Sequence, residues 1–216
     1  MTMTLSEAQS KLILEPYGLP FLAERLCDTP EEAARAAEEI GLPVVAKLCG
    51  DAIAHKTERG LVKLGLRTAA DVLAASAALL AAATPADGDV QVLIAPMVSA
   101  SRELIAGAIV DPQFGPTVLL GVGGILAEAI SDVVVRLAPV TPIDADEMID
   151  AMTSQTLLNE FRGEPAVDRE ALIRVLVGLS DAITAASGIL SIDLNPLMIV
   201  DGVPVAVDAL VERIDA

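Results

Sequence analysis

Short apolar runs alternate with charged, Pro-rich and Gly-rich breaks along this chain, and their spacing predicts a mixture of helices and strands. Leu5 to Leu14 has the period of an amphipathic helix that ends near Pro16-Tyr17-Gly18. Thr29-Pro30-Glu31-Glu32 reads as a helix start: Thr29 caps, Pro30 takes the first helical position and Glu32 completes a capping box. Gly41 ends that helix. Pro43 to Leu48 is a short apolar strand, residues 51–60 a polar loop, and Leu61 to Leu66 an alternating second strand. Thr68 to Ala83 is an Ala-rich helix, and Ala86-Asp87-Gly88-Asp89 breaks the chain.

Beyond that break, Val90 to Ile94 and Glu103 to Val110 read as strands flanking the Pro96–Arg102 connection. Asp111 to Pro116 is a turn-rich loop, Thr117 to Leu120 a buried strand, Ala127 to Ile130 a short element, and Val133 to Leu137 a further strand. Residues 144–153 and 168–187 are predicted helical, the second capped by Asp168 and ended by Gly188. This order is not a clean βαβ alternation. It predicts an α+β fold of two lobes with mostly antiparallel sheets. The expected division is an N-terminal helix over 1–20, a smaller lobe over 21–89 and a larger lobe over 90–216.

The last strand, Ile189 to Asp193, runs on through Leu194-Asn195-Pro196-Leu197 to an Asp201-Gly202 turn. A two-residue Asp-Gly hairpin sets Val200 opposite Val203. Continued back along the strands, that register brings Asn195 opposite Asp208, and alternation puts Asp193 on the face of Asn195. Two carboxylates and an amide oxygen then converge, a set of hard oxygen donors that Mg²⁺ carrying nucleotide phosphates accepts. A solvated polar hairpin face is the alternative. Pro196 removes a ladder hydrogen bond, so the pairing is expected to loosen before it reaches Asn195.

Composition narrows the function. The 216 residues carry a net charge of −17, and Tyr17, Phe21, Phe114 and Phe161 are the only aromatics. Nucleic-acid binding is not expected without stacking platforms or a basic surface, and anionic membrane surfaces are disfavoured too. No apolar run reaches the length of a spanning helix, and Met1 to Gln9 lacks the pattern of a signal peptide. Cys27 and Cys49 have neither metal spacing nor a disulfide framework, so a cytoplasmic protein with reduced thiols is expected. Positive charge is nevertheless concentrated at Lys47, Lys56, Arg59, Lys63 and Arg67, either a local anion site in an acidic protein or a solvated face.

Lys47 closes the strand Val44-Val45-Ala46-Lys47, where it can hold a phosphate as a point charge or snorkel at a strand end. Gly121-Val122-Gly123-Gly124 can bring backbone N–H groups to an oxyanion, but it has neither Walker A nor Rossmann spacing, and a tight turn explains it equally. His55, the only histidine, sits among Lys56 and Arg59, where it is either solvated or able to handle a phosphoryl group. A strand lysine, a basic loop, a Gly-rich turn and an oxygen-ligand hairpin together suit Mg²⁺–nucleotide binding between two lobes.

At these residues the chain resembles the ATP-grasp β subunit or domain of ADP-forming acyl-CoA synthetases such as ADP-forming acetate–CoA ligase, and more distantly the succinyl-CoA synthetase β subunit. The similarity rests on Pro43 to Lys47, Ala54 to Glu58, Asp111 to Pro116 running through Gly121–Gly124 to Glu128, and Asp193 to Leu197. The resemblance implies an ATP-grasp fold with the nucleotide site between the lobes. It implies that Lys47 contacts nucleotide phosphates and that Val92 to Val98, with Ala95, Pro96 and Val98, forms the adenine hinge. Glu103 would face the ribose, Arg136 the phosphates, and Asn195 and Asp208 would hold Mg²⁺. Asp193 would lie at the phosphoryl-transfer centre, and His55 in a loop that takes part in relaying phosphate.

The chain departs from the family pattern at Ala95-Pro96, where relatives often carry Gln-Glu. What the resemblance implies is exchange of phosphate between ATP or ADP and a phosphohistidine, during reversible conversion of acyl-CoA, ADP and phosphate to acid, CoA and ATP. The expected partner is an α subunit or domain carrying the CoA-binding domains and that histidine, in a hetero-oligomer. Another ATP-grasp carboxylate ligase and a nucleotide-sensing subunit without turnover are the alternatives.

Overall fold

The computed structural model of this chain describes residues 2–51, 53, 56, 59–124 and 130–214. The chain divides into two compact units.

The first unit comprises Thr4–Gln9 and Leu22–Met97. Its four-stranded sheet has the order β2-β5-β3-β4, from β2 (Arg25–Cys27), β3 (Val44–Gly50), β4 (Val62–Leu66) and β5 (Val90–Pro96), and its neighbours pair antiparallel. The strand from Val90, assigned from sequence to the larger lobe, therefore pairs along its whole length with β3 in this sheet. Helices α2 (Pro30–Ile40) and α3 (Ala69–Ala81) supply Ala33, Ala36, Ala37, Val72 and Leu79 to a core shared with Val44, Ala46, Leu48, Val92 and Ile94. Alanine on the buried face lets a helix lie close to β-branched strand residues without voids.

Helix α2 starts at Pro30 as predicted, but without the predicted capping box, and α3 starts after a Thr68 cap that the sequence reading did not assign. The Thr29 hydroxyl accepts from Glu32 N–H at 3.2 Å, and Thr68 and Asp71 form a reciprocal capping box. Such caps contribute about 1 kcal/mol each. The Glu32 carboxylate accepts from Asp28 N–H rather than from the cap residue itself.

Every residue of β3 is buried. Val44, Ala46 and Leu48 point into the apolar core, so alternation sends Val45, Lys47 and Cys49 to the other face. That face also carries Ala95 and Leu93, which pair with Val45 and Lys47.

The second unit comprises Met1–Met3, Ser10–Phe21 and Val98–Ala216. Its seven-stranded sheet runs β1-β11-β9-β6-β7-β8, with β10 also paired to β9. The strands are β1 (Thr2–Thr4), β6 (Glu103–Asp111), β7 (Gly115–Val122), β8 (Val133–Leu137), β9 (Ile189–Val200), β10 (Val203–Ala206) and β11 (Leu210–Ile214). The short strands β1, β2 and β11 have no counterpart in the sequence reading. Helix α1 (Glu7–Leu14) follows β1, and Glu15–Tyr17 closes it as a single 3₁₀ turn.

One sheet face is covered. Leu172, Val175, Leu176 and Leu179 of α5 (Arg169–Ala185) are buried together with Leu104, Ala106, Ala108, Val118, Leu120, Ile192 and Leu194. Helix α4 (Pro142–Ala151) lies beside α5 and β8. It is capped by Thr141 and starts two residues before the predicted 144. Fully burying each leucine is worth about 1.5–3 kcal/mol, which fixes the phase of every strand that contributes one. The short element expected at Ala127–Ile130 falls largely outside the described residues.

The terminal hairpin has the predicted register: Val203 pairs with Val200, Pro204 with Ile199, Val205 with Met198 and Ala206 with Leu197. Asp201 and Gly202 both have positive φ, as a type I′ turn requires. Ladder pairing stops at Ala206–Leu197, one step after Pro196, as the missing proline N–H dictates. Beyond it β11 takes over as partner, with Leu210 opposite Asp193.

The loop after β3 is pinned at its far end. Arg59 donates to both carboxylate oxygens of Asp87, at 2.6 and 2.9 Å, and Thr84 donates to the same carboxylate from backbone and hydroxyl. The Arg59 contact first, and then Thr84, hold the Asp87 carboxyl well below the usual carboxylate range. A depressed carboxyl contributes stability that is present above its unfolded pKa and is lost as the pH falls towards the folded one. Asp87→Ala is therefore expected to lower the melting temperature at neutral pH. Thermal melts across a pH series should show the gap to wild type closing in acid. A gap that is constant with pH would contradict this account.

Candidate functional site

In the second unit, β9 brings the terminal oxygen donors to the sheet face that α5 does not cover. Gly107 of β6 pairs with Asp193, and Ala108 with Ile192. Ile192 and Ala108 belong to the helix-covered face, so Asp193 and Gly107 point to the other one. Asn195 follows two residues on and is exposed, as Asp193 is. Gly107 leaves the place opposite Asp193 without a side chain, and a Cβ there would stand 2.7 Å from the Ile192 carbonyl oxygen.

Asp208, half-buried, lies in the stretch between β10 and β11 and accepts from Ala209 N–H at 2.9 Å. The Asp193 carboxyl is pushed above the usual carboxylate range, first by desolvation from surrounding protein and then by the charge of Asp208. Asp193 is thus solvent-accessible yet crowded by protein, and two carboxylates feel one another's charge. The predicted register would set Asn195 opposite Asp208, but the β10 ladder stops at Ala206–Leu197, before that pair.

These donors fit a hard divalent cation. Magnesium is commonly held by one or two carboxylates with substrate phosphates completing its octahedron, and an amide oxygen is a compatible neighbour. A cation near Asp193 and Asp208 would offset the repulsion that raises Asp193. Among the described residues no group of three or more His, Cys, Asp or Glu gathers as a metal cage. A metal here would draw on Asn195 and on ligand oxygens as well.

Glu103 opens β6 opposite Met198. Its backbone carbonyl accepts from Gly123 N–H at 2.8 Å, and its carboxylate lies 3.1 Å from where a Gly124 Cβ would be. The acidic residue and the Gly-rich turn are therefore neighbours, and a side chain at 124 would meet that carboxylate. Arg136 stands elsewhere. It pairs with Val118, on the helix-covered face, and its guanidinium donates to Asp144 at 3.3 Å and Glu147 at 3.1 Å on α4. Asp193 lies on the opposite face of the same sheet.

In the first unit, Lys47 is 8% exposed, and its ammonium donates to Glu7 at 2.6 Å. Lys56 donates to the second Glu7 oxygen, and the Glu7 side chain is fully buried. Ala95 is buried opposite Val45, and Pro96 ends β5 opposite Val44. Met97 N–H donates to the Pro43 carbonyl at 3.0 Å, which uses a backbone donor just past the strand. Val98, half-buried, begins the connection to β6. His55 lies outside the described residues. Burial first raises the Cys49 thiol, which marks it as a packing residue and not a nucleophile. Sequence reasoning missed Glu7, because a glutamate in the first turn of an amphipathic helix has an ordinary role there.

The profile of the ATP-grasp domain matches residues 1–212. The chain is 36% identical to the β subunit of acetate–CoA ligase [ADP-forming] I of Pyrococcus furiosus, over 95% of this chain and 90% of that subunit. It is also 36% identical to the 4-hydroxybutyrate–CoA ligase [ADP-forming] of Nitrosopumilus maritimus, over 91% of this chain but only 29% of that longer protein. Among solved structures it is similar to an acetyl-coenzyme A synthetase of Candidatus Korarchaeum cryptofilum, in complex with coenzyme A and Ca-AMPCP. The TM-score there is 0.90 and the identity 33%, covering 98% of this chain and 94% of the other.

The chain belongs to the ATP-grasp domain family and has that fold. Within the family its relatives of matching length are β subunits of ADP-forming acetate–CoA ligases. Among the described residues no helix is long and apolar enough to cross a membrane.

A raised carboxyl costs the folded state stability above its folded pKa and costs nothing below its unfolded one, where the group is protonated in both states. Asp193→Asn is therefore expected to raise the melting temperature at neutral pH, by about 2–4 °C for each kcal/mol relieved, and to leave it unchanged in strong acid. Added Mg²⁺ should stabilise the wild type more than the variant. A variant less stable than wild type at neutral pH would contradict the repulsion.

Proposed function

We propose that this chain is the nucleotide-binding subunit or domain of an ADP-forming acyl-CoA ligase, and that it exchanges phosphate between ATP or ADP and a phosphohistidine on a partner. The observation that carries this reading is that Asp193 and Asn195 share an accessible sheet face of an ATP-grasp chain, with the charge of Asp208 reaching Asp193. Support also comes from a Candidatus Korarchaeum cryptofilum synthetase structure with Mg-AMPPCP, whose phosphohistidine segment points towards the nucleotide binding site.

Asn195 and Asp208 hold Mg²⁺ in this proposal, and Lys47 contacts nucleotide phosphate. Bound Mg²⁺ supplies charge neutralisation on the phosphate oxygens, the main requirement of phosphoryl transfer. Asp193 lies beside the transferred group in this proposal. Lys47, on a buried strand, holds a point charge at a fixed place. Glu103, held against the Gly-rich turn, takes the ribose side, and the backbone from Ala95 to Val98 takes the base. The basic loop containing His55 receives the phosphoryl side. Arg136 is given no role in this proposal; its guanidinium donates to α4 acids on the other sheet face.

The CoA-binding domains and the phosphorylated histidine belong to an α subunit or domain, which makes the working enzyme a hetero-oligomer or a longer fusion. Calorimetric titration is expected to show Mg²⁺-dependent binding of ADP and ATP. Asp208→Ala should weaken it by about tenfold or more, the size of one lost charge-assisted contact of ~1.5–3 kcal/mol. The purified chain with acid, CoA and ATP should form no acyl-CoA until the partner is added. Metal-independent binding indifferent to Asp208→Ala, or robust acyl-CoA synthesis by the chain alone, would overturn the proposal.

A further inference from the structure

Glu7 is a buried carboxylate to which the nucleotide-binding reading gives no role. Its carboxylate is the only charged group in the first turn of α1, and its side chain is fully buried. Carboxylates are rarely buried without partners, because desolvation is costly. Each of its two oxygens takes a different amine: Oε1 accepts from Lys47 at 2.6 Å, and Oε2 accepts from Lys56. The two lysines arrive from different places. Lys47 is fixed in β3, with both neighbouring strands in register at Leu93 and Val62. Lys56 lies in the polar loop after β3, one residue beyond His55 in sequence, and its carbonyl accepts from Leu61 N–H at 2.9 Å.

A single buried carboxylate therefore fastens the strand lysine to Lys56. The shared carboxylate thereby sets the places of two ammonium groups relative to one another.

We propose that Glu7 is a positioning residue for phosphate, acting through Lys47 and Lys56 by holding both ammonium groups on one carboxylate. This rests on the nucleotide-binding reading above. Two bland roles compete with it. Glu7 could only stabilise the fold, or it could be a stand-in anion that nucleotide phosphate must displace. The three roles predict different things. A stabilising residue changes melting temperature but not the affinity of the folded chain. A stand-in anion, once removed, leaves nucleotide binding tighter. A positioning residue, once removed, weakens binding only while Lys47 is there to be positioned.

The experiment is a double-mutant cycle on Mg·ADP affinity by calorimetry, using the whole chain and E7Q, K47Q and the double variant. Circular dichroism establishes that each is folded at the titration temperature. The expected result is about a tenfold loss for E7Q, at least as large a loss for K47Q, and no further loss in the double variant. If E7Q fails to fold, E7D replaces it. It keeps the charge but is one methylene too short to span both amines, and it should lose affinity several-fold with little change in melting temperature.

Affinity within twofold of wild type in a folded E7Q or E7D, tighter binding, or losses that multiply in the double variant would each overturn the inference while leaving the nucleotide reading intact. Failure of the wild type to bind Mg·ADP or Mg·ATP would overturn that reading and this inference with it.

Discussion

Strand β9 must bury one face and expose the other, and the candidate metal site depends on that constraint. Ile192 and Leu194 are drawn under α5, and this alone turns Asp193 and Asn195 outward. Strict alternation would then expose Leu197 as well. Instead the register slips around Asn195-Pro196, between the Leu104 and Ala106 pairings, and Leu197 and Ile199 return to the buried side. The irregularity reconciles two demands that a regular strand could not meet together: continuous burial of leucines, and two adjacent outward oxygen donors. It also ends the β10 ladder at Leu197 and leaves Asp208 in a non-ladder segment, where its charge reaches Asp193.

A different solution places positive charge in the other unit. There a strand buried on both sides carries a lysine, which only a buried counter-charge makes tolerable. In one unit, the charge of one carboxylate reaches another. In the other, opposite charges are already paired and fixed in place. Both arrangements suit a protein whose task in phosphoryl transfer is positioning and charge neutralisation, with no covalent chemistry required of its own side chains.

Local signals were the legible part of the fold. Thr29 and Asp168 cap helices because their side-chain oxygens meet free N–H groups, and Asp201-Gly202 makes a two-residue turn because both residues take positive φ. The helix near residue 144 and the terminal hairpin were likewise readable from pattern. Strands β1, β2 and β11 were not: three to five residues exist as strands only because a neighbouring edge offers hydrogen bonds, and no periodicity betrays that. The affiliation of Val90–Pro96 was also hidden, since a strand's partners are a tertiary fact.

At the site, hairpin register was enough to bring Asp208 towards Asp193. Arg136 could not be placed without knowing which face α4 and α5 cover, and its acidic partners are eight and eleven residues away on a helix. Glu7 was hidden for a similar reason, because its partners lie 40 and 49 residues further along. The most direct measurement of the central claim is a crystal structure of the chain with ADP and Mn²⁺, a Mg²⁺ substitute located by its anomalous scattering. The account predicts a manganese peak bound by side-chain oxygens of Asn195 and Asp208, with Asp193 beside it. Manganese bound only at other carboxylates, with these three residues solvated, would contradict it.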